Sequence, residues 1–334
     1  MIRSRPIRIL TAVSAALILS ACGASRPQAS RPALQPLTLW LDYTPWGAHV
    51  PLYVAQSRGY FRRQGLQVAI RVPANLSDPL KLVAHDPHAL GIGYMSDVVT
   101  AESQGLPVES VAALVQHHLN CIMTLRSSGI TSPRQLAGKS IGAAETPADN
   151  VILNTVFKHA HVLGKVRRVN VSFDYVPALL HHTVDAIEGG YQVWERVQIE
   201  QQGQHVNVIQ LQKWGVPDEY ELVLLANRTA ISHDPSELRR FMTALRMGVR
   251  FAVGHPRRAV RIFVHDNPGY AGTRKQALVS RSWHLLIPFV QPPGTPFGRQ
   301  SAARWAALGG WMYRNHLVSK RVPVRALFTG RFDT

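Results

Sequence analysis

Between residues 37 and 210 this chain alternates short β-branched and aliphatic runs with stretches whose apolar residues recur at helical spacing. Past about residue 230 the strand-like runs stop. The pattern predicts strands at 37–42, 66–71, 89–93, 108–114, 121–125, 139–143, 169–173, 185–189 and 206–210. Helices are predicted between them at 51–63, 78–85, 95–104, 147–161 and 193–202. A helical tail follows at 236–253, 256–267, 273–283 and 301–316, with Pro256 at a helix start and Pro268 just past a helix end. Strand–helix alternation argues for an α/β fold of parallel sheets with helices on both faces. Residues 22–334 are too many for one core of ordinary size and suit two domains, so a hinged, two-lobed architecture is expected.

The N-terminus limits where such a fold would work. Arg3, Arg5 and Arg8 precede a mostly apolar run, Ile9 to Leu19, and then Ser20-Ala21-Cys22. A run that short does not span a bilayer core, and it reads as a cleavable export signal. Leu19-Ser20-Ala21-Cys22 resembles the bacterial lipobox, which implies removal of residues 1–21 and a lipid on the Cys22 thiol. Residues 22–36, punctuated by Gly23, Pro27, Pro32 and Pro36, read as a flexible tether. An extracytoplasmic, lipid-anchored body makes ATP, NAD and chromosomal partners poor expectations. With Cys22 committed to lipid, Cys121 stands alone, so neither a disulfide nor a cysteine-based metal framework is expected.

The 37 Lys and Arg residues outnumber 20 Asp and Glu, a formal charge of +17. They are scattered as singles and pairs such as Arg62-Arg63, Arg167-Arg168, Arg239-Arg240 and Arg257-Arg258. That scatter reads as a solvated basic surface near anionic lipid rather than a nucleic-acid site.

Ligands in open α/β sheets lie beyond the carboxyl ends of strands, which selects three loops. Asp42 to Tyr53 (DYTPWGAHVPLY) combines stiffening prolines with the flat faces of Tyr43 and Trp46 and the polar tip of His49. Gly91 to Asp97 (GIGYMSD) allows close backbone approach, with Ser96-Asp97 suited to capping the next helix. Asp185 to Glu195 (DAIEGGYQVWE) places Tyr191 and Glu195 four apart, on one helical face, with Trp194 beside them. A carboxylate next to an aromatic ring can accept N–H bonds from an aminopyrimidine-like edge. The His117-His118 and His181-His182 pairs lack metal-ligand spacing, and neither a Gly-x-Ser-x-Gly elbow nor a Walker loop is present.

The segment DYTPWGAHVPLYVAQSRGYFRRQGL (Asp42 to Leu66) resembles the opening motif of ThiY-type substrate-binding proteins of ABC transporters, which carry pyrimidine precursors of thiamine. The similarity continues through GLPVESVAALVQHHLNCIMTLRSSGITSPRQLAGKSIG, VPALLHHTVDAIEGGYQVWERVQIE and GVPDEYELVLLANRT, and more loosely through WAALGGWMYRNHLV. The resemblance implies a two-lobed periplasmic-binding-protein fold of type II with two crossovers and a helical C-terminal segment. Its lobes would be 37–116 plus 226–334 and 117–225, crossed at Val115-Gln116-His117 and at Leu222 to Leu225. It also implies a monomer without cofactor or metal, served by a permease and an ATPase. Tyr43, Trp46 and Tyr191 would sandwich a planar ring, Glu195 would accept from ring amino groups, and His49 and Asn120 would supply polar contacts. Tyr94 and Trp194 complete the expected wall.

The chain departs from the family where Tyr43 replaces Trp, Trp46 replaces Asn, and Gln192-Val193-Trp194 replaces Trp-Asn-Val, which suggests a larger or more apolar heterocycle. A riboflavin-like heterocycle, a sulfonate or nitrate-like anion, and a sensory envelope lipoprotein remain as alternatives. The eukaryotic hydroxymethylpyrimidine phosphate synthase shares the resemblance at His49-Val50-Pro51. Its cofactor-linked lysine would fall on Gly93 and its sacrificed histidine on Asp97, so no enzyme activity is expected.

Overall fold

The computed structural model describes Met1, residues 33–75 and residues 77–333. The expected export signal, Cys22 and most of the tether lie outside those residues.

Among the described residues, ten strands form two five-stranded sheets: β1 (Gln35–Trp40), β2 (Leu66–Arg71), β3 (Ala89–Gly93), β4 (Val108–Val115), β5 (Asn120–Leu125), β6 (Ser140–Ala143), β7 (Arg167–Asn170), β8 (Ala186–Tyr191), β9 (Val206–Gln210) and β10 (Leu222–Asn227). The first sheet has the order β2-β1-β3-β10-β4 and the second β7-β6-β8-β5-β9.

The sheets are mixed, which corrects the expectation of purely parallel ones. β1 runs parallel to β2 and β3, but β10 is antiparallel to β3 and β4, with Val223 opposite Gly93 and Leu225 opposite Gly91. In the second sheet β6 is parallel to β7 and β8, while β5 is antiparallel to β8 and β9. The cause lies in the two crossings. Strands joined by helices within one sheet return parallel. β5 and β10 instead enter directly from the other sheet, so they start where their neighbours end. β10 lies wholly within the first sheet, so residues 211–221 make the second passage, and residues 222–225 do not.

Most helices form where the apolar spacing predicts. Asp78–His85 and Met95–Gln104 coincide with the expected bounds, and Pro235–Gly254, Pro256–Asp266 and Ala302–Arg314 differ at the ends by one or two residues. Helix Thr273–Val290 runs past 283 and carries Pro288 in its last turn, which removes the backbone bond to the His284 carbonyl. Helices Tyr175–Leu180 and Arg228–His233 were not predicted, since six residues are too few for a periodic signal.

β3 and β10 are buried along their whole length, as strands covered on both faces must be. On one face of the first sheet, helices Val50–Ser57, Pro235–Gly254 and Pro256–Asp266 pack together, with Phe61 stacked on Phe241 at 5.1 Å and Tyr53 edge-on to Phe263 at 5.3 Å. Trp283, fully buried, donates from Nε1 to the Ala252 carbonyl at 3.1 Å. This packing holds the ends of β1 and β3 rigid against the site they carry.

Candidate functional site

The parallel strands of both sheets end at a cavity of about 990 Å³. One wall comes from the loop after β1 (Asp42, Tyr43, Thr44 and Trp46) and from Tyr94 after β3. The other comes from Gly189, Tyr191, Trp194, Glu195 and Gln198, at and after the end of β8. Tyr270 of the helical tail closes one side, its ring edge-on to Trp194 at 6.3 Å and its hydroxyl donating to the Pro45 carbonyl.

His49 builds the first wall from beneath. It is fully buried and does not line the cavity, which corrects its expected role as a ligand contact. Its Nδ1 accepts from the Trp46 backbone N–H at 3.3 Å, so Nε2 carries the proton and donates to Asp42 Oδ1 at 2.6 Å. The pair spans the turn and fixes Trp46 facing the opposite wall. There Trp46 meets Tyr191 at 5.6 Å between ring centroids and Trp194 at 6.0 Å, edge-on. A centroid distance of 5.6 Å leaves no room for a third ring, so Trp46 and Tyr191 form one joint surface and not the expected sandwich. Tyr43 stands apart at 56% exposure and lines the mouth. Behind the rings the Tyr191 hydroxyl donates to that of Tyr94 at 3.4 Å, and burial pushes both phenols well above their ordinary pKa. Asp97 accepts from the Tyr94 N–H at 3.0 Å, the capping role expected of it.

Two glycines let the second wall close. Gly189 has φ +102°, and a Cβ there would lie 2.4 Å from the Tyr175 hydroxyl. A Cβ on Gly190 would lie 2.7 Å from Met123 Cε and 3.4 Å from the Glu195 side chain. Their absence of side chains brings Tyr175 and Glu195 onto the strand. The Tyr191 N–H donates to Glu195 Oε2 at 2.7 Å. Burial outweighs that bond and raises the Glu195 carboxyl to about 7.

Asn120 also lies behind its wall, which corrects its expected ligand contact. Its Oδ1 accepts from the Gly189 N–H at 2.9 Å, and its Nδ2 donates to Glu188 Oε1 at 2.7 Å. With both ends of the amide used, it holds β8 in place rather than facing the cavity. Glu188 is fully buried, its Oε2 has no partner, and burial raises its carboxyl to about 8. Cys121, buried nearby, has its thiol pushed up by burial, an inert setting.

The walls meet at the crossings. Glu221 Oε2 accepts from the Leu119 N–H at 2.6 Å, and His117 Nδ1 lies 2.8 Å from Asp218 Oδ2. His118 Nδ1 lies 3.0 Å from Glu219 Oε1, close as an ion pair but not aligned as a hydrogen bond. Burial opposes its charge, yet the carboxylates of Glu219, Glu221 and Asp218 outweigh burial and raise it to about 9.

A family model described as NMT1/THI5 like matches residues 46–259, more than half of the chain. The chain belongs to this family. Among relatives of the NMT1/THI5-like chain, a formylaminopyrimidine-binding protein of Halalkalibacterium halodurans is 28% identical over 330 residues, covering 98% of this chain and 100% of its own. A 4-amino-5-hydroxymethyl-2-methylpyrimidine phosphate synthase of Saccharomyces cerevisiae is 25% identical over 244 residues, 70% of this chain and 71% of that protein. Among solved structures, the periplasmic aliphatic sulphonate binding protein SsuA of Escherichia coli superposes with a TM-score of 0.67 at 13% identity, covering 87% of this chain and 91% of that one. That likeness establishes the two-lobed periplasmic-binding-protein fold.

The NMT1/THI5-like cleft therefore gathers six of the eight expected residues: Tyr43, Trp46, Tyr94, Tyr191, Trp194 and Glu195. It adds Asp42, Asn75, Phe173, Asp174, Tyr175 and Tyr270, which sequence reasoning missed. Phe173-Asp174-Tyr175 directly follows β7, so the rule that selected the other loops would have found it had the strand been ended at Asn170. Tyr270 carries no local signal. Among the described residues lining the cavity, three are acidic and none is Lys, Arg or His.

Proposed function

We propose that this chain is the extracytoplasmic solute-binding lipoprotein of an ABC importer, and that its cleft binds a thiamine-related aminopyrimidine without transforming it. The observation that carries the reading is Glu195, a half-buried carboxylate held by the Tyr191 N–H against the joint Trp46–Tyr191 ring surface. One oxygen is committed to the backbone, leaving the other to accept from a ring amino group while the ring lies on the aromatic face. The name of the Halalkalibacterium halodurans relative supports the same ligand class. The absence of any basic side chain from the described lining disfavours a sulfonate or nitrate-like anion.

A receptor role, rather than catalysis, is supported at Gly93. A Cβ there would lie 2.8 Å from Leu225 Cδ1 and 3.1 Å from Asp97 Oδ2, so the lysine implied by the synthase resemblance has neither side chain nor room. In this reading Cys22 carries the lipid and a permease receives the closed, ligand-bound form. Ligand closes lobes taken as 37–116 plus 226–334 and 117–225, except that β10 starts at Leu222 in the first sheet. Thermal unfolding and calorimetry with 4-amino-5-hydroxymethyl-2-methylpyrimidine and its formylamino analogue test the proposal. Ligand at a hundred times its Kd should add about 2.7 kcal/mol of stability, and mass spectrometry should recover it unchanged. Absence of binding by both pyrimidines, or their conversion, overturns it.

A further inference from the structure

The corner at Trp46, Tyr191 and Glu195 occupies only part of a cavity near the top of the roughly 300–1,000 Å³ range of small-molecule pockets. β2 is the edge strand beside β1, and β7 is the edge strand beside β6. The segments that follow those edges, with Asn75 and Ser77 on one side and residues 173–177 on the other, line the same cavity. The space thus runs sideways from the central strands towards the edges of both sheets.

Three observations say what the lateral end takes. Phe173 at 68% exposure and Tyr43 at 56% are the most exposed aromatic side chains among the described residues, and they come from opposite walls. Exposed rings inside a concave site are surface for a ligand to cover. Asp174 sits at the N-cap of helix Tyr175–Leu180 without a side-chain capping bond, and its carboxylate has no hydrogen-bond or ion-pair partner among the described residues. Finally, Asp42, Asp174 and Glu195 give the cavity an acidic lining inside a chain of net charge +17. Flat rings beside carboxylates attract organic cations through the ring quadrupole and the field together. The same field repels a phosphate.

Resting on the aminopyrimidine reading above, we infer that the cleft takes a two-part cationic ligand: an aminopyrimidine at Tyr191 and Glu195, joined to a positively charged aromatic group over Phe173 and Tyr175 beside Asp174. Phosphorylated forms are rejected. The ring at Tyr175 is braced for this, since Phe173 packs edge-on against it at 6.2 Å.

Calorimetry with three probes tests this: thiamine, which joins an aminopyrimidine to a quaternary thiazolium; neutral 4-amino-5-hydroxymethyl-2-methylpyrimidine; and thiamine monophosphate. Thiamine should bind at least tenfold more tightly than either. Phe173→Ala and Asp174→Asn, both at exposed positions that leave the core intact, should weaken thiamine about tenfold and the neutral pyrimidine far less. Equal or tighter binding of the neutral pyrimidine, or variants that hold thiamine as the parent does, overturns the lateral compartment and leaves the receptor reading standing. If none of the three binds, this inference fails, and the aminopyrimidine reading fails with it when the formylamino analogue is not bound either.

Discussion

The two walls of the cleft are held by different kinds of bond. On the first, Trp46 is set by His49, three residues on, which is itself held by Asp42 seven residues back in the same loop. On the second, Tyr191 ends β8 and Glu195 starts the helix that follows it, and β8 is set by Asn120 some 68 residues away, while Glu221 pins Leu119 across 102 residues. The first wall is a local motif that any neighbour could carry. The second exists only when the sheet and both crossings are formed. A local wall is held within one loop, whereas the second wall shares its hydrogen bonds with the two passages between the sheets.

Removing ligand contacts from the second wall should give the largest effect. Glu195→Ala deletes the carboxylate bonded to the Tyr191 N–H, and Tyr191→Ala deletes half of the joint ring surface. A hydrogen bond to a charged group contributes about 1.5–3 kcal/mol. Each variant should therefore lose roughly tenfold to a hundredfold or more in affinity, measured by calorimetry on folded protein. Normal binding by both would place the ligand elsewhere.

The first wall should fail differently. His49→Ala leaves Asp42 Oδ1 and the Trp46 N–H without partners in a buried setting, and each unsatisfied group costs about 1–3 kcal/mol. Chemical denaturation should show a stability loss of about 3 kcal/mol, with affinity falling less than in Glu195→Ala because His49 touches no ligand. If affinity falls further than stability accounts for, His49 reaches the ligand after all and the local-scaffold reading is wrong.

This contrast also explains what the sequence made legible. β3 and the helices beside it were readable because periodicity and capping are local: Asp97 bonds the N–H of Tyr94, three residues back. Tyr191 and Glu195 were readable as neighbours, but not on the helical face expected of them, since Tyr191 ends β8 and Glu195 begins the next helix. The antiparallel insertion of β5 and β10 was not, since strand direction depends on where the chain crosses between sheets. His49 and Asn120 look like ligand contacts by residue type, and only their partners reveal otherwise. Asp42 was seven residues from His49 and in plain view, whereas Glu188 lies 68 residues from Asn120. Tyr270 reaches the cleft only through the packing of the helical tail.

Acidity should separate binding from stability at the second wall. A ligand that donates to Glu195 needs it ionised, and the free carboxyl titrates near 7. Affinity for a permanently charged ligand such as thiamine should be flat above pH 8 and fall by up to tenfold per unit below pH 7. In Glu195→Gln the profile should be flat throughout, and a slope that survives there would move the titrating group elsewhere.

Stability should respond in the opposite sense, and more weakly. Glu188 has its pKa raised by burial from the ordinary carboxylate value to about 8, so between those values the folded chain holds a proton that the unfolded chain has released. Stability then falls as pH rises through that window. His118, raised to about 9, adds a loss of the same sign as pH climbs from its ordinary value towards 9. Glu188→Gln keeps an acceptor for Asn120 and removes the ionisation, so it should flatten the dependence of Tm on pH between 6 and 8 and gain about 1 kcal/mol at pH 8 or above. Its affinity should stay near that of the parent, because Glu188 lies behind the wall and not in the cleft. A steep Tm profile unchanged by this substitution would assign the pH dependence to the other groups raised in the fold, His118 at the crossings and Glu195 in the cleft, which Glu195→Gln then separates.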